Sequence, residues 1–142
     1  MLKYSTLDSD NDGAGDLLWS KVLDFSDYSD PAVPVYKHDD PVALGIAPGG
    51  AVYVAGNSSD RADGSPKINT DMVAAMVDAA GTEIWRGVID SGNGKDITSG
   101  LAVDSGGDLF VAGTNINDNC AAENCTKDIV AYRLAATDNG TG

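Results

Sequence analysis

One stretch of this chain is written twice. Leu44-Gly45-Ile46-Ala47-Pro48-Gly49-Gly50-Ala51-Val52-Tyr53-Val54-Ala55-Gly56 returns as Leu101-Ala102-Val103-Asp104-Ser105-Gly106-Gly107-Asp108-Leu109-Phe110-Val111-Ala112-Gly113. Aligning Gly56 with Gly113 gives a period of 57, and Asp71-Met72-Val73-Ala74 recurs at the same spacing as Asp128-Ile129-Val130-Ala131. A third element, Leu17-Leu18-Trp19-Ser20-Lys21-Val22-Leu23-Asp24, matches Glu83-Ile84-Trp85-Arg86-Gly87-Val88-Ile89-Asp90 at a spacing of 66. The nine extra residues fall between Trp19 and Gly56, where Phe25 to Pro41 reads as a long Pro/Asp/Tyr loop. A period of about 40–60 residues containing several short alternating segments marks an architecture of stacked β units.

Each unit reads as four strands, around Gly-Leu-Ala-Val, Asp-Leu-Phe-Val-Ala-Gly, Asp-Ile-Val-Ala-Tyr-Arg-Leu and the Trp, with Gly-Gly and Ala-Gly pairs between them and no sustained helical period. This pattern is similar to the bacterial SBBP (seven-bladed β-propeller) repeat, whose units run Gly-Ile-Ala-Val-Asp, then Gly-Asn-Val-Tyr-Val, then an Asp-aromatic strand, then Gly-x-x-Leu-Trp. The chain departs from it at Ala51-Val52-Tyr53 and Asp108-Leu109-Phe110, and lacks the expected aspartate before Gly49. The resemblance implies an all-β fold of propeller blades. With strands lettered a to d from the axis outwards, 1–24 is a partial c-d blade and 25–41 an insertion. A complete blade then covers 42–90 and a partial a-b-c blade 97–136. That is about two and a quarter blades, where closed propellers have about 4–8. Open edges of this kind invite pairing with another chain. The expectation is therefore either a fragment of a larger propeller or self-association by strand complementation, one copy's c-d hairpin completing the next copy's a-b-c blade in a ring of two or three. An open β-sandwich is the plainer alternative.

The sharpest chemical signal is Asp8-Ser9-Asp10-Asn11-Asp12-Gly13-Ala14-Gly15-Asp16. Oxygen ligands at alternate positions, a glycine at the sixth, a backbone carbonyl at the seventh and a further carboxylate at the ninth suit Ca²⁺, which takes about 6–8 oxygens. The expected ligands are Asp8, Asp10, Asp12, the Ala14 carbonyl and Asp16. An EF-hand would need glutamate where Trp19 stands, and helices where the flanks are strand-like. The loop instead resembles the calcium hairpins of integrin-type FG-GAP propeller repeats. A soluble acidic turn is the competing reading, since Asp, Asn and Gly are ordinary turn residues.

Twenty-two acidic residues against nine basic give a formal charge of −13, which argues against nucleic acid and anionic membrane surfaces as partners. No stretch approaches the roughly 20 apolar residues of a membrane span, and Met1-Leu2-Lys3-Tyr4 lacks the apolar core of a signal peptide. Cys120 and Cys125 are too few for a zinc site and are expected to form a local disulfide. With the calcium loop, this points to an extracellular or cell-surface setting. Catalysis finds little footing. The single histidine, His38, stands beside Asp39 and Asp40 with no nucleophile motif and reads as a solvated loop residue. Trp19, Trp85, Tyr53 and Phe110 are expected as inter-blade core, whereas Tyr28 and Tyr36 are candidates for ligand contact. The sequence thus points to a calcium-stabilised, non-enzymatic binding or assembly module with a glycan or protein ligand. A glycan-active hydrolase with acidic-loop catalysis and a lectin-like module are the rivals.

Overall fold

In the computed structural model the described residues are 1–5, 9, 15–26, 37–60, 70–91, 94–116 and 126–136. Asp8, Asp10, Asp12, Ala14, Tyr28, Tyr36, Cys120 and Cys125 lie outside them. The described residues form nine strands and no helix: β1 Leu2–Tyr4, β2 Leu17–Ser20, β3 Lys37–Ile46, β4 Val52–Asp60, β5 Thr70–Val77, β6 Glu83–Ile89, β7 Lys95–Val103, β8 Leu109–Ile116 and β9 Lys127–Leu134. Every pairing is antiparallel between sequence neighbours, giving three sheets in the orders β1-β2, β3-β4-β5-β6 and β7-β8-β9.

Local sequence explains the tight turns. After β5 and after β7 the chain reads Asp-x-x-Gly. Asp78 Oδ1 accepts from the amides of Ala80 and Thr82 at 2.9 and 2.8 Å, and Asp104 Oδ1 from those of Gly106 and Asp108 at 2.8 and 2.9 Å. Gly81 and Gly107 then take φ near +93°, a left-handed conformation open to glycine at no steric cost. The equivalent turn after β3 has Ala47-Pro48 in place of the aspartate. It closes on the backbone alone, with Pro48 presetting its first φ and Gly49 and Gly50 both left-handed.

The 57-residue repeat holds at the level of pairing. A bulge interrupts β3 between Pro41 and Ala43, and another interrupts β7 between Thr98 and Gly100. Gly56 lies against the Asp40 carbonyl, and Gly113 against that of Ile97, so closely that neither site has room for a Cβ. One difference from the sequence reading is that β3 begins at Lys37, inside the expected 25–41 insertion. β4 runs on to Asp60 and pairs Lys37 to Asp40 beyond the bulge. His38 is consequently an exposed strand residue opposite Ser59 rather than part of a loop.

The second and third sheets stack face to face, with β7 lying across β3, β4 and β5. Tyr53, Ala55, Met72, Ala74 and Trp85 form the core with Leu109 and Val111 of the third sheet. Gly45 permits the close approach, since a Cβ there would stand 2.6 Å from Leu101 Cδ1 and 2.7 Å from Val103 Cγ2. Tyr53 Oη donates to the Gly107 carbonyl at 2.7 Å, and Thr98 Oγ1 to that of Gly56 at 2.6 Å. The small first sheet rests on the β5–β6 turn. There Trp19 packs over Gly81 and its Nε1 donates to the Ala79 carbonyl at 3.1 Å. Of the four aromatics expected in the core, Tyr53 and Trp85 are buried, Trp19 is half-buried and Phe110 is exposed. Phe110 lies on the face of the third sheet that, among the described residues, no further sheet covers.

Candidate functional site

Asp39 stands near the start of β3 and Asp96 near the start of β7, 57 residues apart, and each fastens the chain that leads into its sheet. Asp39 Oδ1 accepts from Ser58 Oγ at 2.7 Å and its Oδ2 from the Phe25 amide at 2.9 Å. Asp96 Oδ2 accepts from the Ser91 amide at 2.9 Å, and its Oδ1 from Asn115 Nδ2, also at 2.9 Å. Ser58 and Asn115 are themselves 57 apart, and Phe25 and Ser91 repeat the 66 spacing of the Trp elements. The same carboxylate clasp therefore closes two successive sheet junctions. His38 and Asp39 are consecutive residues of β3, so their side chains point to opposite faces of the strand, and Asp39 is not placed to orient His38.

At the second junction Asp71 and Asp90 join Asp96, and one carboxylate oxygen from each lies within 4.8 Å of the others. Asp71 and Asp96 are buried and Asp90 is exposed. Convergent hard oxygens of this kind suit a cation such as Ca²⁺ or Mg²⁺. Asp96, however, also accepts from Ser91 Oγ at 3.0 Å, so most of the roughly four lone-pair sites of its carboxylate are already used. The group therefore reads first as a structural fastening. Sequence reasoning passed over it because its members come from three separate segments, although the recurrence of Asp71 as Asp128 and of Asp39 as Asp96 carried a signal.

Of the expected calcium ligands, Asp16 is described. Its Oδ2 accepts from the Ser9 amide at 3.2 Å and its carbonyl from the Ser5 amide at 2.6 Å, drawing the two ends of the acidic loop together. No protein-family model matches this chain, and neither a curated protein nor a solved structure matches it. Its chemistry therefore has to be read from its own side chains. Among the described residues no helix is long and apolar enough to cross a membrane.

An apolar cleft of about 610 Å³ lies between the first sheet and the inner strands of the second. Leu2, Val22 and Leu23 form one wall, Val42, Leu44 and Val54 the other, with Asp39 and Asp40 at the rim. It offers hydrophobic surface and carboxylates, but no nucleophile paired with a base. One ion-pair group braces its outer side. Glu83 pairs with Lys21 at 3.2 Å and with Arg86, while Arg86 also donates to the Asp24 carbonyl and lies 5.5 Å from the centre of the Phe25 ring. The hydrogen bonds from Arg86, ahead of those from Lys21, hold the Glu83 carboxyl below its ordinary range.

Proposed function

We propose that this chain is a non-enzymatic binding or assembly module built from β-propeller-type blades, stabilised by Ca²⁺ and acting outside the cell or at its surface. The observation that carries the blade reading is the correspondence of two stacked sheets, in which bulges, close-packed glycines and the clasping aspartates with their Ser58 and Asn115 donors repeat at 57 residues. The calcium reading rests on the Asp8, Asp10, Asp12, Ala14 and Asp16 spacing, and the extracellular reading on that loop together with the disulfide expected between Cys120 and Cys125. Within the module the aspartates fasten junctions and close turns, and ligand contact falls to the apolar faces.

Two measurements test this. Calorimetry at millimolar calcium is expected to show weak binding, with Kd of roughly 10⁻⁴–10⁻³ M as in other extracellular modules, lost in Asp10→Ala. No heat, together with an unchanged melting temperature, refutes the calcium reading. Turnover of any member of a chromogenic glycoside panel by the purified chain refutes the non-enzymatic one.

A further inference from the structure

The repeat allows each exposed position to be compared with its covered counterpart. Tyr53 and Met72 are fully buried where the third sheet lies on the second, yet their equivalents on the third sheet, Phe110 and Ile129, are 41% and 92% exposed. At the opposite end, Leu101 and Val103 pack onto Gly45, whereas their equivalents Leu44 and Ile46 are 55% and 67% exposed. The chain thus carries both halves of a sheet-on-sheet contact that it makes internally once.

The first sheet explains what keeps the halves apart. Lys3 sits opposite Trp19 as Met76 sits opposite Trp85, and Arg133 follows Met76 by 57 residues. β1, β5 and β9 are therefore the same strand of successive units, and among the described residues no Trp strand flanks β9 as one flanks the other two. β2 is that kind of strand. It is fixed to the second sheet independently of β1, by the Trp19 bond to Ala79 and the Lys21–Glu83 pair. β1 is three residues long, and Lys3 Nζ donates from it to the Ala79 carbonyl of the second sheet at 3.0 Å. Lys3 also lies 6.0 Å from the centre of the Trp19 ring; Arg133, which pairs with Asp108 within its own sheet, would bring a cation to the same place, where the complete blade has Met76.

We propose that a second copy of this chain docks by strand exchange, an inference that rests on the blade reading above. The β9 of one copy displaces the β1 of its neighbour and pairs with that neighbour's β2. The blade so completed stacks its Phe110 and Ile129 face onto the neighbour's Leu44 and Ile46. Phe110 then meets Trp19 as Tyr53 meets Trp85, whose ring centres are 6.0 Å apart and tilted by 49°. The incoming β7 and β8 fill the apolar cleft. Each copy contributes two blades, so two copies close at four and three at six, inside the range of about 4–8 for closed propellers. The contact is directional, since each copy presents a different surface at each end.

Phe110→Asp spoils one surface and Leu44→Asp the other. Both positions are exposed, so both variants are expected to fold, as their melting curves and circular dichroism will show. Light scattering at high micromolar concentration is expected to give a dimer or trimer for the native chain and monomer for each variant. An equimolar mixture of the two variants is expected to restore a single dimer, because one intact surface of each kind remains. Hydrogen exchange is expected to show Leu2 to Tyr4 losing protection on assembly while Leu17 to Ser20 keep theirs. A native chain that stays monomeric, a mixture of folded variants that stays monomeric, or a β1 that keeps its protection in the assembly overturns the exchange. None of these results touches the calcium and substrate tests of the module itself.

Discussion

The two carboxylate clasps offer a test in which bond loss and charge repulsion pull in opposite directions. In Asp96→Ala, the Ser91 amide and the Asn115 side chain lose a charged acceptor, while the Ser91 hydroxyl, on an exposed residue, can turn to water instead; hydrogen bonds to charged groups are worth about 1.5–3 kcal/mol each, so roughly 3–6 kcal/mol stands on that side. The same change removes one of two buried carboxylates within 4.8 Å of each other, and at an effective dielectric constant near 20 that repulsion is about 3 kcal/mol. A net loss of about 2 kcal/mol is expected. Asp39→Ala also loses two bonds and strands the fully buried Ser58 hydroxyl, but among the described residues it has no such carboxylate cluster to relieve and it gives up a favourable field on Arg86. About 3 kcal/mol is expected there. The less buried aspartate should therefore cost more. Asp96→Asn, which keeps an acceptor and drops the charge, should be milder than Asp96→Ala. Urea unfolding at one fixed protein concentration measures all three. If both alanine variants unfold within about 0.5 kcal/mol of the native chain, the clasps contribute nothing and the reasoning fails. If Asp96→Ala is the costlier of the two only when calcium is present, the triad holds a cation.

Gly113→Ala drives a methyl against the Ile97 carbonyl and Met72 Sδ and should destabilise by about 1–3 kcal/mol or more, as overpacking does. Gly87→Ala meets nothing within 4 Å and should be neutral or stabilising by about 0.5 kcal/mol; thermal melts that failed to separate the two would contradict the packing. Tyr53→Phe should cost about 1 kcal/mol at neutral pH through its bond to Gly107. Burial, then the charges of Asp108 and Asp104, raise the Tyr53 pKa above 10.0. Its stabilisation is thus whole below the unfolded value and is lost as pH rises through the folded one. Melting curves from pH 9 to 12 should therefore fall less steeply for the phenylalanine variant, and parallel curves would count against this assignment.

What the sequence determined by itself is local. Alternation placed most of the strands, because side chains on a pleated strand point to opposite faces in turn. The Ala80-Gly81 and Gly106-Gly107 pairs marked their turns, because a glycine free to take positive φ needs no distant partner. The 57-residue spacing linked Gly56 to Gly113 before either was seen against a carbonyl. Only the tertiary structure decided burial. Tyr53 and Phe110 occupy the same register of the same kind of strand, yet one is sealed and the other open, because covering depends on whether another sheet lies across that face. The start of β3 at Lys37 was likewise settled by its partner, since β4 extends to Asp60 and offers backbone groups that Lys37 to Asp40 satisfy. Asp71, Asp90 and Asp96 met only because β5, the end of β6 and β7 converge on one junction. Proximity of that kind arises when separate sheets pack together.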